Sequence, residues 1–233
     1  MKMPEEINRI LTDRVSKLLF CPTSTAIANL EKEGFRSFPC EIIQSGDVMY
    51  DSVLFYQQRI TDRATVLRNE KLENEAFALV TLHRAENTND PTRLRDIVAA
   101  LNEINQKVKV VLPLHPRTRQ FLSTHGIQLD ATIIEPVGYF DMLSLLQNCT
   151  LVLTDSGGLQ KESYFFNKFC ITLRDQTEWT ELVEAGVNAL AGASKEKILK
   201  LFQQHASQPL PTTTPLYGDG HAAEKIADRL LKG

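Results

Sequence analysis

The run from Asp155 to Glu162, DSGGLQKE, has the residue types and spacing of a phosphate-binding turn. Gly157 and Gly158 follow an apolar run and precede a helical pattern, so the N–H groups at the start of a helix can approach an anion. Ser156 adds a hydroxyl, and Glu162 places a carboxylate where it can accept hydrogen bonds from ribose hydroxyls. The alternative is an ordinary strand-to-helix turn with an exposed glutamate. The hydroxyl before the glycines and the carboxylate after them favour phosphate binding.

Several familiar chemistries are excluded by spacing. The run is not a P-loop, a Gly-x-Gly-x-x-Gly dinucleotide motif or a Gly-x-Ser-x-Gly elbow, so Ser156 is not predicted to be a nucleophile. The five histidines form no i, i+4 pair, and no cluster of His, Cys and carboxylate residues has metal-ligand spacing. The sequence therefore predicts neither a metal nor a cofactor.

Three further polar segments follow apolar runs in the same way. Each offers cations and hydrogen-bond donors that suit a diphosphate or a sugar, although a single loop histidine is more often merely solvated. Pro116 restricts His115 to extended geometry and so fixes where the ring points. For Thr177 the alternative role is to cap the next helix. The segments contain His83, Arg84, Glu86 and Asn87; His115; and Arg174, Thr177 and Glu178.

Short apolar runs alternate with amphipathic helical stretches along the chain. Near-continuous apolar strands separated by helices indicate a parallel sheet that is buried on both faces. The fold class is therefore α/β, with a Rossmann-like, doubly wound parallel sheet. Ligands of such sheets bind beyond the carboxyl ends of the strands, where four runs deliver His83, His115, Ser156 and Arg174. The predicted strands are 77–82, 108–114, 132–134, 151–153 and 169–173, and the predicted helices between them are 91–106, 140–148, one from about 159, and 178–185.

Composition limits the partners and the compartment. The chain has 233 residues and a net charge of −3, which does not suit a domain built to neutralise nucleic-acid phosphates. No apolar run approaches the roughly 18 residues that span a bilayer, and the acidic N-terminus is not a signal peptide. The four cysteines are far apart and indicate reduced thiols. We therefore expect a cytoplasmic protein without nucleic-acid or membrane partners.

The two ends of the chain look different from its centre. A helix from Met3 to Leu19 carries one apolar side, which we expect to pack on this domain or to bind another chain. A short strand at 18–21 and a second helix to Leu30 follow it. We predict a remnant of one domain at 1–38, a nucleotide-binding domain at 39–207, and a connector with a terminal helix at 208–233.

Taken in order, these segments resemble the UDP-N-acetylglucosamine 2-epimerase family over nearly the whole chain. The motifs that carry the resemblance are GDVMYD at 46–51, HRAEN at 83–87, HPR at 115–117, EP at 135–136, DSGGLQKE at 155–162 and RDQTE at 174–178. The resemblance implies the C-terminal half of a GT-B arrangement, in which two Rossmann-like domains face each other across a cleft. Within the family, the motifs resemble the branch that acts on UDP-2,3-diacetamido sugar uronates more than the plain UDP-N-acetylglucosamine branch.

The resemblance also implies residue roles. UDP binding is expected at Ser156, Gly157, Gly158, Glu162 and His115, with Tyr139 and Met142 against the uracil. His83 would support catalysis beside the diphosphate. The sugar would face Arg84, Glu86, Asn87, Arg174, Thr177 and Glu178.

The family reaction inverts carbon-2 of the sugar through elimination and re-addition of UDP, and a tuned acid/base must move the proton. Family members carry their catalytic carboxylates in an N-terminal domain without counterpart here, so we expect an isomerase half that is inactive alone and truncated, its catalytic base unknown. The full-length protein is expected to be a homodimer acting on UDP-N-acetyl amino sugars. Two alternatives stay open: a non-catalytic nucleotide-sugar binding module, and half of a UDP-dependent GT-B glycosyltransferase.

Overall fold

The computed structural model describes residues 4–211 and 215–232, so Met3 and part of the predicted connector lie outside it. The predicted alternation of strands and helices is present. The strands are β1 (Leu18–Cys21), β2 (Glu41–Gln44), β3 (Phe77–Thr81), β4 (Lys109–Pro113), β5 (Thr132–Ile134), β6 (Leu151–Thr154), β7 (Cys170–Thr172) and β8 (Asn188–Leu190).

Helices separate these strands. A 3₁₀ turn at Phe35–Ser37 follows the helix at Ser24–Lys32. The helices are α1 (Pro4–Val15), α2 (Ser24–Lys32), α3 (Val48–Gln57), α4 (Ile60–Arg63), α5 (Val66–Asn69), α6 (Ala85–Thr88), α7 (Pro91–Asn105), α8 (Pro116–Thr124), α9 (Tyr139–Asn148), α10 (Gly157–Phe165), α11 (Thr180–Glu184), α12 (Lys195–His205) and α13 (Ala222–Leu231). Within the described part of the chain, no helix is long and apolar enough to cross a membrane.

The chain divides into two compact units, one formed by Met1–Leu54 with Thr214–Gly233 and the other by Phe55–Thr213. This division differs from the predicted boundary after residue 38, because β2 pairs in parallel with β1 and so belongs to the first unit. Residues after the connector rejoin that unit, where the Asp47 N–H donates to the Tyr217 carbonyl at 3.0 Å. The first unit holds a two-stranded sheet. The predicted apolar side of α1 is largely exposed there, with Leu11 63% and Val15 84% exposed.

A six-stranded, all-parallel sheet forms the second unit, in the order β5-β4-β3-β6-β7-β8. This is a doubly wound order, and it confirms the predicted fold class. The chain reverses direction across the sheet between the adjacent strands β3 and β6, which is the switch point where such sheets bind ligands. Register pairs Thr81 with Thr154, so both strands end at the same level.

Packing on this sheet follows the sequence pattern. Asp90 caps α7 by accepting from the N–H groups of Thr92 and Arg93, and Pro91 starts the first turn. The predicted inner face of α7 lies in the core with the central strands and with Ile198 and Phe202 of α12. The α7 residues in this core are Leu94, Ile97, Val98, Ala100, Leu101 and Ile104. The apolar face of α7 is thus buried against the sheet, as its spacing predicts.

Candidate functional site

A cavity of about 350 Å³ opens at the carboxyl edge of the sheet, at the switch point between β3 and β6. Its walls come from the loops after β3, β4, β5 and β6 and from the starts of α9 and α10. Six residues predicted from sequence line it, namely His83, His115, Met142, Ser156, Gly158 and Glu162. Thr81, Leu82, Pro113, Pro136, Val137 and Leu159 add a mostly apolar wall. A polar rim on an apolar cleft is the usual form of a nucleotide-sized site.

Helix α10 begins at the cavity, two residues before the predicted start. Ser156 is its N-cap, and the Ser156 hydroxyl accepts from the Leu159 N–H at 3.5 Å. The unpaired N–H groups of the first turn and the positive end of the helix dipole therefore face the region where Ser156 and Gly158 line the wall. This geometry can hold an anion.

Glu162 lies one turn into α10, with only 8% of its surface exposed. Burial raises its pKa to about 7, and the neighbouring Lys161 ammonium opposes that shift. A carboxylate held in an apolar wall is poorly hydrated, so hydroxyl donors from a ligand would replace the missing water. The predicted alternative of an exposed helical glutamate is wrong.

Tyr139 is the first residue of α9 and lies next to this wall, although it does not line the cavity. Burial raises the pKa of its phenol to about 12, and the charges of Glu162 and Tyr56 act in the same direction. Its ring packs edge-to-face on Tyr56 at 5.8 Å between centroids. The ring is therefore held by aromatic neighbours beside Met142.

His115 caps α8 in the extended conformation predicted from Pro116, with φ −63° and ψ 139°. Its Nδ1 accepts from the Arg117 N–H at 3.2 Å. That bond leaves Nε2 as the nitrogen available to the cavity.

Two arginines and one carboxylate meet at Gly157. A Cβ atom at this glycine would lie 2.5 Å from Glu178 Oε1 and 3.8 Å from an Arg84 nitrogen. Arg174, which is 5% exposed, pairs with Glu178 through Nη1 at 2.9 Å. The sugar-side residues Arg84, Arg174 and Glu178 are therefore brought to the start of α10.

Other predicted sugar-side residues are placed differently. Asn87 is 0% exposed, and its amide donates to the Leu173 carbonyl and accepts from Arg93, so a sugar-facing role does not fit its position. Glu86 is exposed on the short helix α6. Thr177 does not cap the next helix, because α11 starts at Thr180 and its N-cap is Trp179.

Thr177 instead belongs to a hydrogen-bond network that the sequence did not reveal. Its hydroxyl donates to Gln160 Oε1 at 2.7 Å, and Asn188 donates to the same oxygen at 3.0 Å. The Trp179 indole donates to the Gly157 carbonyl at 2.9 Å. This network fixes the loop after β7 against the first turn of α10, although its members are separated in sequence and carry no spacing signal.

Asp155 is a further residue whose role is not predicted from the sequence. It is 0% exposed, and it accepts from the backbone N–H groups of His83 and Arg84. Its position directly after a buried strand was the available signal. No group of three or more His, Cys, Asp or Glu side chains in the described residues could hold a metal ion.

The chain is similar to known proteins over nearly its whole length. The family model described as UDP-N-acetylglucosamine 2-epimerase matches residues 1–231. A UDP-2,3-diacetamido-2,3-dideoxy-D-glucuronate 2-epimerase from Pseudomonas aeruginosa is 52% identical over 100% of this chain and 64% of its own length. The UDP-GlcNAc 2-epimerase of Methanocaldococcus jannaschii, solved with UDP-GlcNAc and UDP, is 37% identical with a TM-score of 0.87, over 99% of this chain and 65% of that one. The chain thus spans about 64% of the curated relative from Pseudomonas.

Proposed function

Since the chain belongs to the UDP-N-acetylglucosamine 2-epimerase family, we propose that the switch-point cavity binds the UDP portion of a UDP-sugar. The observation that carries this proposal is the meeting of a helix N-terminus, a buried carboxylate and two histidines around one cavity of about 350 Å³. A similar protein was solved with UDP.

Each part of UDP has a matching part of the cavity. The diphosphate lies at Ser156, Gly157 and Gly158, because the start of α10 supplies free N–H donors and a positive dipole. Glu162 accepts from the ribose hydroxyls. Tyr139 and Met142 lie along the uracil.

The sugar then points toward the loop after β7, where Arg84, Arg174 and Glu178 meet. We propose that the whole protein inverts carbon-2 by eliminating and re-adding UDP, an isomerase reaction. The role of this chain is to stabilise the departing diphosphate with fixed positive groups. We also predict that this chain alone is inactive. We predict that the full-length protein is a homodimer and that it is cytoplasmic.

For the sugar, we propose a UDP-2,3-diacetamido uronate, with UDP-N-acetylglucosamine as the second candidate. This choice is supported by the 52% identity to the UDP-2,3-diacetamido-2,3-dideoxy-D-glucuronate 2-epimerase of Pseudomonas aeruginosa. Solvent deuterium incorporation at carbon-2, followed for both sugars with the full-length protein, separates the two candidates. The same assay on this chain alone should give no incorporation.

Titration calorimetry with UDP tests the binding proposal directly. We expect micromolar affinity for this chain and about tenfold or greater loss for Glu162→Ala, the size expected when hydrogen bonds to a charged group are removed. Glu184→Ala, at an exposed helical position, is the matched control and should bind like the parent. A folded parent with no affinity better than millimolar would refute the proposal.

A further inference from the structure

Asp155 is a buried carboxylate that no proposed step yet uses. It follows β6 directly and is 0% exposed. Its oxygens accept from the His83 N–H at 3.0 and 3.1 Å, the Arg84 N–H at 2.9 Å and the Asn87 amide at 3.3 Å. A buried charge of this kind is stable only because these donors replace water. The bonds tie the loop after β3 to the end of β6.

One more partner of Asp155 is a side chain of the cavity. His83 Nδ1 lies 3.2 Å from Asp155 Oδ1, while the imidazole is about half exposed and lines the cavity. A carboxylate accepts only, so Nδ1 must carry a hydrogen. Nε2 is then the nitrogen that gains and loses a proton, and it is the nitrogen left for a ligand.

The charges around the imidazole act in opposite directions. The hydrogen bond to Asp155 raises the pKa of His83, whereas burial and the Arg84 guanidinium oppose that rise. Glu162 and His115 are the other titratable groups that line the same cavity. The net rise favours the imidazolium, a cationic donor that suits a diphosphate.

We propose that Asp155 is a positioning residue, which holds the His83 imidazole with Nδ1–H on its own carboxylate so that Nε2 presents the exchangeable proton to the diphosphate. The proposal rests on the proposed function for its ligand. It assigns Asp155 a part in the chemistry beyond closing a loop, because the same carboxylate fixes both the backbone of His83 and the tautomer of its ring.

The first test needs no ligand. Two-bond ¹H–¹⁵N spectra of the chain report the tautomer and pKa of each histidine, and His83→Gln assigns the signal. We expect the neutral His83 ring to carry its hydrogen on Nδ1 and its pKa to lie above 6.5, the ordinary value. A neutral ring with its hydrogen on Nε2, or a pKa at or below 6.5, would overturn the proposal. This measurement stands even if Asp155 variants fail to fold.

Asp155→Asn tests whether the Asp155 carboxylate sets the tautomer and the pKa of His83. The amide keeps the shape of the side chain but offers an NH₂ group to Nδ1. We expect the neutral tautomer to change to Nε2–H and the pKa of His83 to fall. Asp96→Asn is the matched control, since it makes the same chemical change at an exposed position of α7 and should leave the ring unchanged. A folded Asp155→Asn protein with the parent tautomer and pKa would refute the role.

The second readout is affinity for UDP-GlcNAc, whose phosphates do not titrate between pH 5 and 9. Because Glu162 titrates near pH 7, all affinities are compared in a Glu162→Gln background. Parent affinity should fall as pH rises through the pKa of His83, and Asp155→Asn should lose affinity at lower pH. At a pH between the two midpoints we expect about a tenfold difference, typical of one charge-assisted hydrogen bond.

Failure of this proposal and failure of the proposed function are distinguishable. If UDP-GlcNAc and UDP do not bind the folded parent, the proposed function fails, while the spectra still decide the role of Asp155 toward the ring. If UDP-GlcNAc binds and Asp155→Asn shows the parent pH profile, the positioning role alone is refuted.

Discussion

Replacing Glu162 by glutamine should stabilise the ligand-free protein at neutral and alkaline pH. The Glu162 carboxyl has a folded pKa of about 7 against an ordinary 4.5, because burial disfavours its charged form. Folding therefore requires the carboxylate to give up hydration whenever the unfolded chain would ionise it. A glutamine at this position keeps the shape of the side chain without that charge.

The magnitude follows from the difference between the two pKa values. About 7 minus 4.5 leaves about 2.5 pKa units, and at about 1.4 kcal/mol per unit the total is about 3 kcal/mol. Because the folded pKa is the higher one, Glu162 does not lower the free energy of unfolding below pH 4.5, where it is protonated in both states. Its destabilising contribution grows as pH rises from 4.5 through 7 and is constant above pH 8.

Urea denaturation at pH 5 and pH 8 measures this effect. The quantity compared is the difference in the free energy of unfolding between parent and variant at each pH. Glu162→Gln should gain up to about 3 kcal/mol relative to the parent at pH 8, and much less at pH 5. Glu184→Gln makes the same chemical change at an exposed position and provides the baseline. An equal difference at both pH values would show that Glu162 is hydrated in the folded protein and would refute the reasoning.

Three further predictions concern the elements around the site. Gly157→Ala should lower UDP affinity about tenfold, because the added Cβ lies where the diphosphate is proposed to bind. Thermal stability should change little, because that Cβ clashes only with the movable end of Glu178; a variant that binds like the parent by calorimetry would contradict the prediction. Trp179→Phe removes the hydrogen bond to the Gly157 carbonyl and should cost about 1 kcal/mol in urea denaturation, whereas an unchanged midpoint would argue against the bond. Asp90→Ala removes the N-cap of α7 and should cost about 1 kcal/mol without changing UDP affinity; weaker binding in the folded variant would not fit.

Five of the six strands of the sheet were predictable, because each lies in a short apolar run that stops at polar residues. The run at 77–82 ends at His83, and the run at 151–153 leads into Ser156, so parallel pairing alone brings both residues to one edge. Strands β2 and β8 were not predicted. The four residues of β2 have no such continuous apolar run and two of them are exposed, and β8 has only three residues and begins with a polar one, Asn188. The predicted boundary after residue 38 accordingly separates β1 from β2, which pair with each other.

Within the site, the residues at strand ends were predictable, and the residues that hold them were not. Gln160 and Asn188 form hydrogen bonds only because α10 and β8 meet in three dimensions. Asn87 shares a polar segment with Arg84, and only the structure shows that its side chain turns into the core. Sequence pattern indicates where a chain turns, but it does not indicate which way a polar side chain faces within the turn.

The bonds of Asp155 also have a consequence for the order of folding. The carboxylate and the His83 backbone it binds are 72 residues apart, and the Asn87–Leu173 bond spans 86 residues. The chain between them forms β4 and β5 on one side of β3, and β6 pairs with the other side of β3. Contacts across such long loops form late, because the entropy of closing the loop must be overcome first. Ligand binding during refolding should therefore appear only with the last structural phase of this unit, as a signal that its central strands have paired.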